Sequence, residues 1–427
     1  MRFSTDGTWN RVGPAGRMVL AGSPLRLFRL TAAGAEVCAS IESNQDVAPS
    51  VLIERLLDAG AIHPLPTVSN RTPARRDVTV ITPQLGGSAH PDRDITVDDG
   101  SEPPVRGATI RLDRTRGPGA ARNAGRREAS TPLLAFVDAD VSFPDPDWID
   151  RLLPHFDDPL VGLVAPRVIG DPTASLDLGA NAARVCAGSR VSYVPAAAIV
   201  VRARAFDDVG GFDERLRFGE DVDLVWRLHD AGWRCRYEPA VNVHHAPRST
   251  LRARLRQHVG YGSSAGPLAV RHPRSLAPMR ANPWMATSWA AIGLGHPVVA
   301  SLLAAANAVA VARRLTGVPA TLVARLTGAA WLVGIEQSAA TIRRVWWPLA
   351  LGGCLMSRRA RLATVAALAA GGRSTPTDLA YGAGVWLGMF RQRTARPILP
   401  RIGAWEPERE HPRRAGARGP RPAAGGR

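Results

Sequence analysis

The sequence predicts an α/β protein with a small winged-helix-like domain before the main sheet and a hydrophobic helical region after it. Three observations predict this. A continuous apolar run over residues 133–137 ends abruptly in Asp138-Ala139-Asp140, and five apolar residues in a row are what a strand buried on both faces requires. A second apolar segment, residues 95–97, ends in another acidic turn, Asp98-Asp99-Gly100-Ser101. Residues 282–312 carry no charged side chain. In open α/β sheets ligands bind at the carboxyl edge of the strands, so paired hard oxygen donors there suit a divalent cation carrying a diphosphate. A charged turn after a strand reads the same way when it stands alone.

The chain has 427 residues, of which 45% are hydrophobic, enough for two or three domains and a large core. We divide it into residues 1–67, a linker at 68–76, the main α/β domain at 77–260, apolar helices at 261–390 and a disordered basic tail at 391–427. The formal charge is +17, and every basic residue is arginine. These arginines are spread along the chain, densest in the last forty residues, and are not interleaved with aromatics. No nucleic-acid partner is therefore expected. Cys38, Cys186, Cys235 and Cys354 are far apart and form no metal-ligand spacing, as in a reducing compartment. Residues 1–16 lack the apolar core of a secretory signal.

In the N-terminal domain, residues 18–24 read as a short strand and turn and 25–30 as a second strand, and Thr31 caps a first helix. A second helix over 51–59 would place Val51, Leu52, Leu56 and Ala59 on one face and stop at Gly60. Glu54 and Asp58 on that helix argue against DNA binding. Through Leu56-Leu57-Asp58-Ala59-Gly60-Ala61-Ile62-His63-Pro64 the module resembles the PqqD-like peptide-chaperone domains; a helical cap on the main domain fits the same pattern.

The main sheet begins with a strand from Val78 and continues with a second from Ile95. The intervening segment is too short for a crossover helix, which predicts an exposed sheet face near Val78 and Val80. A glycine-rich turn, Arg116-Gly117-Pro118-Gly119, opens a helix over 120–129, and its amides and Arg122 would face a phosphate or base. Residues 194–201 read as a buried strand. Glu220 and Asp221 fall in the first turn of a helix, whose dipole favours carboxylates. Trp226 and Arg227 follow on it, and His244-His245 end a later strand.

Residues 77–247 resemble the family 2 glycosyltransferases of GT-A fold. The resemblance rests on Val97-Asp98-Asp99-Gly100-Ser101, the turn from Arg116 to Gly125, Phe136-Val137-Asp138-Ala139-Asp140, Gly210-Gly211-Phe212-Asp213-Glu214, and the run from Gly219 to Leu228 with a later His. Tyr193-Val194-Pro195 and the run from Gly219, joined to a PqqD-like module, are most similar to the mycofactocin-system glycosyltransferases. That group is implied to build β-linked glucose from UDP-glucose on a peptide-derived redox cofactor.

Sugar transfer from a nucleotide diphosphate needs charge neutralised on the departing group, so Asp140, helped by Asp138, would hold Mn²⁺ or Mg²⁺. His244 is the candidate third ligand, with His245 as substitute. The acceptor hydroxyl must lose a proton as it attacks, and Asp221 is assigned as base with Glu220 as the alternative. Direct attack inverts the anomeric centre. By resemblance, Asp98 or Asp99 would contact the uracil or ribose, Pro83 would line the base pocket, and Gly117, Arg122 and Asp138 would complete the nucleotide-sugar site. Trp226 stacking on a sugar and Arg227 meeting the diphosphate stand beside core packing and a salt bridge as readings of those two residues.

The uncharged stretch exceeds the roughly 20 residues that span a bilayer, as one kinked span or a re-entrant hairpin. Segments 326–335, 345–357, 362–372 and 379–390 are shorter and suit helices lying at an interface. Membrane association is expected, with the main domain on the cytoplasmic side where nucleotide sugars are made. Two further readings remain open: a cell-envelope or lipid-linked acceptor, and a silent peptide-binding module on a transferase scaffold.

Overall fold

The computed structural model describes residues 1–170, 176–246 and 250–403. Its N-terminal domain pairs Arg2–Thr5 antiparallel with Ile62–Leu65, beside a three-stranded antiparallel sheet of Asn10–Val12, Met18–Ala21 and Arg26–Arg29. Thr31 and Ser50 cap the helices Ala32–Glu42 and Val51–Asp58, accepting the N–H groups of Gly34 and Ile53. The second helix buries Ile53 and Leu56, with Ala59 just beyond its end, whereas Val51 is 62% exposed. Val51 lies two residues before Ile53, about 200° around the helix, and so falls off the stripe expected to contain it.

Glu54 and Asp58 of that helix both pair with Arg234 of the main domain, which also reaches Asp158 at 3.0 Å. Arg190 adds a second tie, donating its backbone N–H to Ser23 at 2.6 Å and its guanidinium to Asp6 at 3.3 Å. The acidic helix thus faces the main domain.

The main sheet has nine strands. Across it lie Val141–Ser142, Arg234–His245, Val161–Ile169, Ala198–Arg202, Leu133–Val137, Val78–Gln84, Ile95–Asp98 and Ile110–Arg111, while Ala183–Arg184 also pairs with Arg234–His245. The Leu133–Val137 strand is central and wholly buried, as its apolar run requires. It runs parallel to Val78–Gln84 and antiparallel to Ala198–Arg202, so the sheet is mixed.

The short connection at 85–94 does not leave the sheet bare. Val78 and Val80 are 3% and 2% exposed, because Trp148, Ile149, Leu152 and Phe156 share a core with them. A helix from later in the chain thus covers the face that a crossover helix would have covered. Phe143 stacks on Trp148 at 4.7 Å, Arg93 lies 4.9 Å from the Phe143 ring, and Asp94 accepts the Val80 N–H at 2.7 Å.

The uncharged stretch breaks at Gly295 into Pro283–Gly293 and Pro297–Arg314, and the two helices are tied by the Ser288 hydroxyl donating to Ala300 O at 2.8 Å. Among the described residues, Pro297–Arg314 is the one helix long and apolar enough to cross a membrane, and 11% of it is buried. Segment 326–335 belongs to a longer helix, Ala320–Thr341, of 22 residues. The boundary expected at 260 falls inside the helix Leu251–Ser263, which packs against Thr375–Arg391. Of the tail expected to be disordered, Arg401–Ile402 pairs with Arg280–Ala281, and 404–427 lies outside the described residues.

Trp148→Ala should destabilise the protein by about 3–5 kcal/mol, the usual effect of emptying a large buried side chain. Urea unfolding checks this, and a loss below about 1 kcal/mol would show that the Val78–Val80 face does not depend on Trp148.

Candidate active site

Asp138 leaves the central strand through a tight turn in which its N–H donates to Ala197 O at 2.9 Å and its carbonyl accepts the Val141 N–H at 3.2 Å. This aims Asp138 and Asp140 out of the sheet edge. The two-residue strand Val141–Ser142 then pairs with the end of Arg234–His245, bringing His245 beside the turn. His245 Nε2 lies 3.4 Å from Asp140 Oδ1, and one donor atom from each of Asp138, Asp140 and His245 lies within 4.8 Å of the others. Two carboxylate oxygens and one imidazole nitrogen fit Mn²⁺, and less well Mg²⁺, which prefers oxygen. His244 is exposed and outside this group. Successive strand side chains point to opposite faces, so when buried Val243 faces inward, His245 follows it and His244 does not.

The opposite wall is the first turn of Glu220–Asp230, entered through Gly219 at φ 77°. Glu220 is 7% exposed. Burial and the adjacent Asp221 push its pKa up to about 7, against the opposing pull of Arg122. Burial also raises the pKa of Asp221, although its carboxylate accepts the Val222 N–H at 2.8 Å and the Ala196 N–H at 3.4 Å. Tyr261 stands over this pair, edge-on to Phe218 with ring centres 6.0 Å apart, and receives a hydrogen bond from Gln257 at 2.7 Å. Burial and the Asp221 charge push its hydroxyl pKa up.

Arg122 joins the two walls. Its Nη2 donates to Asp138 Oδ1 at 2.6 Å and its Nη1 to Glu220 Oε1 at 3.0 Å. It is 2% exposed, so the guanidinium expected at a phosphate is instead enclosed between two carboxylates. The helix carrying it, Pro118–Glu128, lies close on the sheet: a Cβ at Gly125 would come within 2.3 Å of Ile81 Cγ2.

Other expected donor-site residues are also used internally. Asp98 is fully buried and accepts the N–H groups of Ser101 at 2.9 Å and Val105 at 3.1 Å, and Arg111 at 3.1 Å. Burial opposes its charge, but these bonds hold its pKa below the ordinary value. Asp99 accepts the Arg116 and Gly117 N–H groups, each at 2.8 Å, so the amides expected at a phosphate meet a carboxylate of the same chain. Gly117, at φ 100°, allows that turn. Pro83 is buried opposite Val97. Trp226 is 4% exposed and donates to Ser192 O at 2.8 Å, which is core packing and not a sugar platform. Arg227 donates to Asp223 at 2.7 Å and to the carbonyls of Val209 and Gly211, leaving little of its fork for a diphosphate.

The sequence reading missed Tyr261, which lay past the drawn domain boundary and belongs to no motif. It also missed Asp223, fully buried, which anchors Arg227, Arg271 and His272. Its place within the run from Gly219 was a usable signal.

Because Glu220 keeps its proton to a higher pH when folded than the roughly 4.3 of an unfolded chain, the folded form binds more protons between those values. Wild-type stability should therefore fall, relative to Glu220→Gln, as pH rises from 5 to 8, by more than about 1 kcal/mol. Denaturant titrations at several pH values measure it; parallel curves would contradict the assigned direction.

The Glycosyl transferase family 2 model matches residues 95–179. The pre-mycofactocin glycosyltransferase of Mycobacterium tuberculosis is 38% identical over 455 residues, covering 92% of this chain and 96% of that protein. The N-acetylglucosaminyl-diphospho-decaprenol L-rhamnosyltransferase of the same organism is 47% identical over 64 residues, 14% of this chain and 21% of that one. Among solved structures, the mannosyltransferase PcManGT from Pyrobaculum calidifontis in complex with GDP-Man and Mn²⁺ aligns at 16% identity and a TM-score of 0.38, covering 73% of this chain and 87% of its own.

Proposed function

This chain belongs to the family 2 glycosyltransferases, hexosyltransferases of GT-A-like α/β fold, and from that membership we propose an inverting, metal-dependent transfer of glucose from UDP-glucose. The acceptor is a peptide-derived redox cofactor precursor, pre-mycofactocin, after the substrate in the name of the relative that matches nearly the whole chain. The product is a β-linked oligosaccharide. One observation carries the reading: a cation-competent group, Asp138, Asp140 and His245, lies across from a carboxylate pair of raised pKa, Glu220 and Asp221, with Arg122 between them.

Asp138, Asp140 and His245 would hold Mn²⁺ or Mg²⁺, which when bound neutralises charge on the departing diphosphate. Asp221 accepts the proton of the attacking hydroxyl, its raised pKa matching that task better than an ordinary aspartate. Glu220 is tied to Arg122 and is the weaker candidate for the base. A single displacement with the base opposite the leaving group inverts the anomeric carbon. Asp98 and Asp99 shape the donor side through the turns they hold, and Tyr261 borders the acceptor side.

We place the enzyme at the cytoplasmic face of the cell membrane. Val298, Leu302, Leu355 and Met356 are at least 66% exposed, more apolar surface than scattered single residues explain. Residues 280–373 hold ten arginines and one acid, Glu336, which favours an anionic lipid surface. Flotation with anionic vesicles tests this; protein that stays at the bottom of the gradient excludes it.

A cell-envelope acceptor is the second reading, favoured by the short match to the rhamnosyltransferase. Mass spectrometry of a deletion strain separates the two, since intact hexose ladders on the redox cofactor would leave only the envelope acceptor. For the site itself, Asp140→Ala should abolish turnover and metal-dependent UDP binding. Asp221→Asn should lower UDP release at least a thousandfold while sparing UDP binding, and near wild-type turnover would remove Asp221 as the base.

A further inference from the structure

We propose that Arg122 is a positioning residue for transfer, which fixes the separation of Asp138 from Glu220 and tempers the pull of Asp138 on the bound cation. The inference rests on the reading above and concerns how the two walls are coupled.

A guanidinium that is 2% exposed must have acceptors, since an unpaired buried charge is heavily penalised. Arg122 finds them on two segments distant in sequence: the turn after the central strand, and the helix Glu220–Asp230. Its planar fork sends separate nitrogens to the two carboxylates, so their positions are set relative to each other by one rigid group. Ala196 O lies a further 3.4 Å from Nη2, and the Phe212 ring lies 5.2 Å from the guanidinium carbon.

The fork is itself held. Asp99 grips the Arg116 and Gly117 amides at the head of the helix, and the close approach at Gly125 fixes its far end on Ile81. The arginine therefore has little freedom to follow a carboxylate that moves. It does not reach the open site, so its influence passes through Asp138 and Glu220.

Charge gives the second effect. Among the described residues Arg122 is the cation within hydrogen-bond reach of Asp138 and Glu220, and it occupies Asp138 Oδ1. A positive charge so close weakens attraction of a divalent ion to that carboxylate. A cation held too tightly to the protein is a poorer partner for a diphosphate that must leave.

The test uses full-length wild-type, Arg122→Gln and Arg122→Lys proteins. Mn²⁺ affinity is measured by electron paramagnetic resonance without donor, and kcat by UDP release from UDP-glucose with acceptor. We expect Arg122→Gln to bind Mn²⁺ about tenfold more tightly while kcat falls about a hundredfold, opposite movements that simple loosening of the fold does not produce. Arg122→Lys, which keeps the charge, should return Mn²⁺ affinity to near wild type and recover at least tenfold in kcat. The inference is overturned if Arg122→Gln binds Mn²⁺ no more tightly than wild type, or keeps kcat within threefold.

Should Arg122→Gln not fold, Glu220→Gln supplies the second measurement. With its other anchor neutral, the guanidinium leans on Asp138, and Mn²⁺ affinity should drop at least threefold; unchanged affinity overturns the inference. Failure of the proposed function reads differently, because the wild-type protein would then release no UDP whatever the variants bind.

Discussion

One buried guanidinium holds this structure's chemistry together. Arg122 lies between Asp138 and Glu220, on a helix whose head is gripped by Asp99. Acidic groups from three separated parts of the chain are thereby linked in a continuous path of hydrogen bonds and packed backbone. Without a cation at that point, Glu220 and Asp221 would lose a positive charge that opposes the effect of their burial.

The acidic motifs divide into two kinds of work. Asp98 and Asp99 are used within the fold: one is sealed in its turn by two amides and Arg111, the other caps the glycine-rich turn. Asp138 and Asp140 remain partly open, at 28% and 34% side-chain exposure. The difference follows from what surrounds each turn. Small residues and free amides after Ile95–Asp98 supply internal partners, whereas the turn after Leu133–Val137 faces the space under Tyr261. Asp223 belongs to the first kind, since three basic side chains meet it and hold its pKa near 2 against the effect of burial.

The flanking regions are tied to this centre by charge and close packing. Glu54 and Asp58 meet Arg234 at the start of the strand whose far end carries His245, so the N-terminal domain rests on the same element that brings His245 to Asp138 and Asp140. On the other side, Gly262 and Gly266 meet the backbone of Thr375–Arg391 at distances that admit no side chain, for a Cβ at Gly262 would lie 1.9 Å from Tyr381 O. That contact places Leu251–Ser263, and with it Tyr261, over the carboxylate pair.

The sequence by itself determined the order of strands and acidic turns, the burial of the central strand, the Thr31 helix cap, and the pairing of Asp138 with Asp140. Each is a local property: apolar runs, capping residues and turn chemistry act over a few positions and leave their mark in the order of residues. Tertiary structure alone decided the rest. It chose His245 over His244, put Arg122 between two carboxylates and not at a phosphate, buried Trp226, spent Arg227 on Asp223 and two carbonyls, and covered Val78 and Val80 with Trp148. Those outcomes turn on which face a side chain presents and which distant segment meets it. Such contacts are settled by the packing of a mixed sheet against its helices, where Asp138 and Glu220, 82 positions apart, share one charge.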